Sequence, residues 1–139
     1  MRLWHKELIS VLPRQQLLGQ WRECCCLARK IAVDLDPNHM LVDRVTEYPI
    51  EHFWKYSQLV YDEMVNRGYE CSWYSFGKWC NAMGSFPEAL DVEFDDIFYD
   101  WHNERYYWQC YYNLEEKYDC GGISDEEWEI ICDEVCLKV

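Results

Sequence analysis

Apolar residues recur every three or four positions along most of the chain, which is the spacing of one buried face of a helix. No segment shows the alternation of polar and apolar residues that is typical of a half-buried β-strand. The chain has 139 residues and half of them are apolar, which is enough for a hydrophobic core of its own. We therefore predict an all-α fold, a compact helical bundle in which residues 1–139 form a single domain.

Four helices are predicted from these apolar stripes and from the turn-forming residues between them. In chain order they cover residues 14–32, 50–67, about 94–120, and 124 onward. Pro13 lies where the first turn of a helix tolerates proline. Ser124 and Glu127 have the spacing of a capping box, in which two side chains cap the start of a helix. Local signals therefore indicate the ends of the helices as well as their buried faces.

Charge is distributed unevenly along the chain, whose formal net charge at pH 7 is −13. Residues 1–32 carry six basic and two acidic side chains, a net charge of +4. Residues 33–87 carry four basic and eight acidic side chains, and residues 88–139 carry three basic and sixteen acidic ones. An anionic ligand should therefore meet the N-terminal third, whereas the acidic remainder would repel a polyanion. The alternative is that the surplus acid only increases solubility.

The sequence favours a cytoplasmic protein whose cysteines are reduced. The opening residues are too charged for a signal peptide, and no apolar run approaches the roughly 18 residues that a membrane span needs. The nine cysteines are odd in number, and Cys24, Cys25 and Cys26 are consecutive, which disfavours intrachain disulfides. The remaining cysteines lack paired spacing, so a zinc site would have to assemble from distant segments.

The first predicted helix carries one carboxylate in a basic environment. Glu23 lies beside a stripe that faces away from the core and consists of Gly19, Arg22, Cys26 and Arg29. Lys30 lies two turns further along, at helical spacing from Glu23. The alternative interpretation is an ordinary solvated helix face, on which a surface pair of Glu23 and Lys30 contributes only about a few tenths of a kcal/mol.

Arg2 lies next to the α-amino group of the first residue. In an unstructured peptide an α-amino group titrates at about pH 7.7 to 8, so that part of it is unprotonated and nucleophilic near pH 7. Arg2 and Arg22 would lower the pKa of this amine further by like-charge repulsion if the fold brings them close to it. An amine can attack an electrophilic sugar carbon, and a neighbouring carboxylate such as Glu23 can move the protons. The amine and Glu23 together form a sufficient catalytic pair.

Three N-terminal segments resemble the signature of the pyrimidine-dimer DNA glycosylase family, the group that contains phage endonuclease V. They are MRLWH at residues 1–5, LPRQQLLGQ at residues 12–20 and RECC at residues 22–25. A looser likeness continues through residues 39–49 and ends with Arg67, Gly68 and Tyr69. The resemblance thus divides the chain into a signature half, residues 1–70, and a divergent acidic half, residues 71–139.

The resemblance implies a mainly helical enzyme without metal or cofactor that acts on damaged double-stranded DNA containing lesions such as pyrimidine dimers. In such an enzyme the N-terminal amine attacks the sugar carbon of the damaged nucleotide and the glycosidic bond breaks. An imine then links protein and DNA, and β-elimination cuts the strand at the abasic site. Distorted DNA suits this reaction, because extruding a nucleotide costs least where stacking is already broken.

The resemblance also assigns roles to residues of this chain. The amine would belong to Met1, since the bulky Arg2 should block removal of the initiator methionine, and the catalytic carboxylate would be Glu23. Arg22 and Arg2 would hold phosphates beside the lesion. Helical spacing extends this phosphate-binding patch to three further residues, which are Arg14, Arg29 and Lys30. The residues expected near the pocket are His5, Gln15 and His39.

The chain departs from the family pattern at Cys26, where a second basic residue is expected, and in its acidic C-terminal half. DNA binding should therefore be weak and sensitive to salt. Two other functions stay open. One is a non-catalytic protein that binds or sequesters a nucleotide or cyclic nucleotide in the basic N-terminal pocket. The other is a protein-binding module whose acidic tail mimics nucleic acid and blocks a DNA-binding partner.

Overall fold

The computed structural model describes residues 2–33, 40–74, 76–78 and 92–138. Every regular element in these ranges is helical, which confirms the predicted all-α class. The α-helices are α1 (Arg14–Ala32), α2 (Met40–Thr46), α3 (Ile50–Asn66), α4 (Glu104–Asp119) and α5 (Asp125–Lys138). Two 3₁₀ helices cover Lys6–Val11 and Phe94–Asp96. Within the described ranges, no helix is both long and apolar enough to cross a membrane.

The core forms where α1 packs against α3. The predicted stripe of α1 is buried at Leu17, Trp21, Cys24 and Ala28, and that of α3 at Phe53, Tyr56, Val60 and Met64. Each large apolar side chain that is fully buried stabilises the fold by roughly 1.5 to 3 kcal/mol. The shorter helix α2 contacts both of these helices, and α4 packs on α5. Helical periodicity therefore predicted the main packing faces correctly.

Two helices are followed closely by a glycine in the left-handed conformation. Gly68 follows α3 with a φ of 77°, and Gly121 follows α4 with a φ of 83°. Both glycines donate a backbone hydrogen bond back into the helix, Gly68 to the Val65 carbonyl at 2.9 Å and Gly121 to the Tyr118 carbonyl at 3.0 Å. A residue with a side chain would be strained in this left-handed conformation, whereas glycine adopts it without strain and can therefore end the helix.

The start of α5 also confirms a prediction. The Glu127 backbone N–H donates to Ser124 Oγ at 3.1 Å, and the Ser124 N–H donates to Glu127 Oε1 at 3.2 Å. This reciprocal pair is the capping box that the spacing of the two residues predicts. The carboxylate of Glu127 also accepts the backbone N–H of Arg14 at 2.8 Å, and this bond joins the start of α5 to the start of α1.

The prediction of a long helix from about residue 94 is wrong, because α4 begins only at Glu104. The buried ammonium of Lys6 donates hydrogen bonds of 2.8 Å to the carbonyl oxygens of Asp95 and Ile97. Those carbonyls thereby bind a cation from the other end of the chain instead of extending a helix. Phe98 then adopts a φ of 49°, which is outside the right-handed helical region. Helical spacing of the apolar residues alone could not reveal this long-range contact.

The first 3₁₀ helix and α2 have no counterpart among the four predicted helices. The 3₁₀ helix buries Leu8 and Ile9 and contacts both α3 and α5. It therefore connects the N-terminal segment to the two halves of the chain, and it fixes the direction from which residues 2–5 enter the core.

Candidate functional site

A cavity of about 330 Å³ opens between the N-terminal segment, α1 and α4. We call it the Glu23 pocket, and its lining residues are Arg2, Trp4, Gln16, Gly19, Gln20, Glu23, Asn113 and Lys117. The fold thus brings together two of the residues that the sequence singled out, Arg2 and Glu23. A cavity of this size falls at the lower end of the range for small-molecule sites, roughly 300 to 1,000 Å³.

The buried side chain of Gln20 fixes the N-terminal segment against α1. Its Oε1 accepts the Trp4 backbone N–H at 2.7 Å, and its Nε2 donates to the Arg2 carbonyl oxygen at 3.3 Å. One amide therefore satisfies a donor and an acceptor of an extended segment, in the way that a neighbouring strand would. This arrangement places residue 2 at the wall of the Glu23 pocket.

Two tyrosines hold the same segment from α3 and α4. The Tyr56 hydroxyl donates to the Trp4 carbonyl oxygen at 2.5 Å, and the Tyr106 hydroxyl donates to the Leu3 carbonyl oxygen at 2.6 Å. Burial raises the pKa of both phenols, so they remain protonated donors across the physiological range. The position of the N-terminal segment is therefore determined by three helices rather than by local sequence.

Glu23 is the single acidic residue among those that line its pocket, and it is half-buried. Two cations, Arg2 and Lys117, line the same cavity. Its carboxylate makes no hydrogen bond or ion pair to any other residue that the structure describes. The two carboxylate oxygens are thus free to accept protons or hydrogen bonds from a bound molecule.

The guanidinium of Arg2 is held on an aromatic face. Its Cζ lies 5.4 Å from the centre of the Trp4 ring, within the range of a cation–π interaction. It also lies beside the Cys110 thiol, whose pKa is raised by burial, so this cysteine stays a neutral neighbour. A cation anchored in this way is preorganised to meet an anion in the pocket.

Arg22 lies at the edge of the pocket rather than in its lining. A methyl group placed on Gly19 would lie 3.9 Å from Arg22 Nη2, so the guanidinium runs alongside Gly19, which does line the cavity. The side chain of Arg22 is exposed. It can therefore reach a group that enters the pocket from solvent.

Residues 1–72 match the family model described as pyrimidine dimer DNA glycosylase. The chain belongs to this family. The match includes Arg2, Glu23 and the whole of α1 and α3, and it ends before α4. Comparisons with curated proteins and with solved structures give no significant match.

In this member of the glycosylase family, the remaining basic residues of α1 lie away from the Glu23 pocket. Arg14 is on the opposite side of the helix from Glu23, and its guanidinium lies 5.5 Å from the centre of the Tyr69 ring. Arg29 and Lys30 lie about 9 and 10.5 Å further along the helix axis from Glu23. None of these three cations is among the residues that line the pocket.

His5, expected near the pocket, is instead a buried structural residue. Its Nδ1 accepts the Glu7 backbone N–H at 3.1 Å, and its Nε2 donates to the His102 carbonyl oxygen at 3.0 Å. Burial lowers the pKa of His5 to about 4, so the ring is neutral at pH 7. Both ring nitrogens are occupied, and they anchor the N-terminal segment rather than face the Glu23 pocket.

Gln15 is exposed, and its neighbour Gln16 lines the pocket in its place. The reason is the helical period, which brings residue 16 onto the same face of α1 as Gly19 and Glu23. Met1 and His39 lie outside the residues that the structure describes. Within the described ranges, no group of three or more His, Cys, Asp or Glu side chains could hold a metal ion.

Sequence reasoning missed the wall that α4 supplies. Asn113 and Lys117 lie one turn apart on this helix, and both line the Glu23 pocket. One sequence feature could have marked these two residues as site candidates. Lys117 is one of only three basic residues in the acidic stretch 88–139, and the polar Asn113 lies four positions before it, on the same helix face. The packing of α4 against the N-terminal segment was needed to place it.

Proposed function

We propose that the protein is a DNA glycosylase with abasic-site lyase activity, acting on pyrimidine-dimer-type lesions in double-stranded DNA. The observation that carries this proposal is the shared cavity of Arg2 and Glu23 in a chain that belongs to the glycosylase family. Arg2 supplies a cation that can bind an anion. Glu23 supplies a carboxylate that has no ion-pair partner among the described residues. Both line the cavity beside the fixed N-terminal segment.

The proposed nucleophile is the α-amino group of Met1. Residue 1 is bonded directly to Arg2, and consecutive Cα atoms are about 3.8 Å apart. Hydrogen bonds to Gln20 fix the backbone of the segment that begins at Arg2, and the proposal requires the amine of the preceding residue to reach a sugar bound in the Glu23 pocket. The reaction needs a nucleophile and a proton acceptor, which the α-amine and Glu23 would supply.

The proposed reaction begins when the unprotonated amine attacks C1′ of the damaged nucleotide. The bond between C1′ and the base breaks, its electron pair leaves with the base, and the base takes up a proton. Glu23 accepts a proton from the attacking nitrogen and passes it to O4′ as the C1′–O4′ bond breaks, and a protonated imine forms between this nitrogen and C1′. The negative charge of Glu23 stabilises the positive charge of that intermediate.

Strand cleavage follows from the imine. Removal of a proton from C2′ breaks the C3′–O bond, and the 3′ phosphate leaves with the electron pair of that bond. Water then hydrolyses the imine and restores the free amine. Arg2, Arg22 and Lys117 are proposed to hold the flanking phosphates, while Arg14, Arg29 and Lys30 form a wider basic patch that contacts the backbone further away.

The experiment is reductive trapping with borohydride on a duplex that contains one abasic site. The wild-type protein should give a covalent protein–DNA adduct at low salt, because borohydride reduces the imine to a stable amine. Glu23→Gln should lower the rate of adduct formation by at least about 100-fold, in keeping with the usual contribution of general acid–base catalysis. The control Glu126→Gln, which removes one exposed carboxylate on α5, should react within about twofold of the wild-type rate.

Absence of any adduct from wild-type protein at low salt would contradict the proposal. Equal rates for the two glutamine variants would remove Glu23 from the mechanism.

A second candidate function is non-catalytic binding of a nucleotide or cyclic nucleotide. The size of the Glu23 pocket favours it, since about 330 Å³ suits a small ligand, and so does the net charge of −13, which disfavours a long polyanion. This function predicts that nucleotides raise the melting temperature while an abasic duplex leaves it unchanged. The glycosylase function predicts a stabilising effect of the duplex.

A further inference from the structure

A second cavity, of about 310 Å³, is also lined by Arg2. We call it the Arg44 pocket, and its lining residues are Arg2, Met40, Leu41, Arg44, Trp101, Tyr106 and Gln109. No carboxylate belongs to this lining, although the chain as a whole carries twice as many acidic as basic residues. Two arginines and two aromatic rings therefore meet at a cavity that adjoins the Glu23 pocket through Arg2.

Arg44 is held in place by aromatic rings. Its Cζ lies 5.3 Å from the centre of the Trp101 ring and 5.7 Å from that of Tyr48. One nitrogen, Nη1, forms an ion pair with Glu47. The other two guanidinium nitrogens make no hydrogen bond to a described residue, so they retain donors for a ligand. Because the stacking already restricts the Arg44 side chain, less conformational entropy is lost when a ligand binds.

The chemistry of these groups selects the class of ligand. A planar guanidinium matches the oxygens of a phosphate group, and a second guanidinium, that of Arg2, lines the same cavity. The Tyr106 hydroxyl already donates to the Leu3 carbonyl oxygen, which leaves its ring rather than its hydroxyl for contact. The Gln109 amide supplies a polar group at the same cavity. The site therefore suits a phosphate group whose attached group can pack against an aromatic ring.

We propose that the Arg44 pocket binds the phosphodiester of the nucleotide next to the one whose sugar meets Glu23. Arg2 lies between the two positions, since it lines both cavities. This inference rests on the proposed glycosylase function and extends the DNA contact from α1 to α2. On this proposal, the protein binds the DNA strand that carries the lesion, and a phosphate next to the lesion lies against α2.

The test measures binding to a duplex that contains a tetrahydrofuran abasic-site analogue, at several salt concentrations. Arg44→Gln should weaken binding at least about fivefold at low salt, and the slope of log Kd against log salt should fall by about 1. The control Lys55→Gln removes the same charge from α3, at a residue that lines neither cavity, and should change Kd by less than about twofold. Arg44→Lys should recover only part of the affinity, because an ammonium lacks the planar fork.

The melting temperature of each variant separates a binding defect from unfolding, since Arg44 also pairs with Glu47. Equal dissociation constants for Arg44→Gln and Lys55→Gln would overturn the inference. So would an Arg44→Gln variant that loses affinity for a nucleoside monophosphate but not for the duplex, because the ligand would then be a free nucleotide.

The borohydride reaction keeps the two proposals distinguishable. A wild-type protein that binds the duplex without forming an adduct would contradict the proposed chemistry, while a selective loss of binding in Arg44→Gln would still support this inference. A wild-type protein that forms the adduct, together with an unaffected Arg44→Gln variant, would contradict this inference alone. A wild-type protein that fails to bind the duplex would contradict both.

Discussion

Gln20 is one of the residues that fix the N-terminal segment, because its amide forms hydrogen bonds with the backbone of Trp4 and of Arg2. The side chain is buried, so its removal leaves the buried Trp4 N–H without this hydrogen-bond partner. The catalytic proposal depends on this residue indirectly. Without it, residue 2 would no longer be held at the wall that it shares with Glu23.

We expect Gln20→Ala to lower the free energy of unfolding by about 2 to 3 kcal/mol, since it leaves a buried N–H unpaired and opens space in the core. Urea denaturation measures this change. The matched control is Gln15→Ala on the same helix, which alters an exposed side chain and should cost less than about 0.5 kcal/mol. Similar losses for both variants would show that the N-terminal segment does not depend on Gln20.

At the level of elements, two buried histidines join the N-terminal segment to the loop before α4. His5 donates to the His102 carbonyl oxygen, and the backbone N–H of Lys6 donates to His102 Nδ1 at 3.0 Å. Burial lowers the pKa of His5 to about 4 and that of His102 to about 2. Both rings are therefore neutral in the folded protein and gain a proton mainly on unfolding.

This link predicts loss of stability in mild acid. A histidine with a pKa of about 6.5 when unfolded and a lower one when folded contributes its full stability above pH 6.5, and that contribution declines as the pH falls toward the folded pKa. Between about pH 7.5 and 5.5 the free energy of unfolding should fall by roughly 2 to 3 kcal/mol for the two rings together. Urea unfolding at each pH measures it. A flat profile over this range would contradict the assignment of neutral, buried rings.

Local patterns predict the elements whose ends are set by nearby residues. The prediction for residues 14–32 agrees with α1, and the predicted capping box at Ser124 is present. The start of α4 was missed because Lys6, which is distant in the sequence, binds the carbonyls that a longer helix would use. The same limit applies to the candidate site, since the position of Lys117 in its wall follows from helix packing rather than from spacing.

At the scale of the whole molecule, the charge distribution opposes the proposed substrate. The exposed face of α5 carries Glu126, Glu129 and Asp133, in a region of strongly negative charge. A DNA duplex bound at α1 would be repelled by this region wherever it approached. Binding should therefore be confined to the basic residues around the two pockets, and it should weaken steeply with salt.

Neutralising these three acids to Gln, Gln and Asn should tighten binding to an abasic-site duplex by about two- to tenfold at low salt, because like-charge repulsion is removed. The gain should disappear at about 0.5 M salt, where screening acts within a few ångströms. Fluorescence anisotropy at both salt concentrations measures the change. An unchanged Kd at low salt would indicate that α5 lies away from the DNA, and loss of a protein partner on neutralisation would favour the acidic mimic instead.

The central claim is that the amine at the start of the chain attacks the sugar beside Glu23. Peptide mapping of the borohydride-trapped adduct by tandem mass spectrometry tests it most directly, because the reduced bond marks the attacking nitrogen. The account predicts that the sugar remnant is attached to the α-nitrogen of Met1. The account would be contradicted by attachment to the ε-nitrogen of Lys117, the lysine that lines the pocket, or by the absence of any attachment.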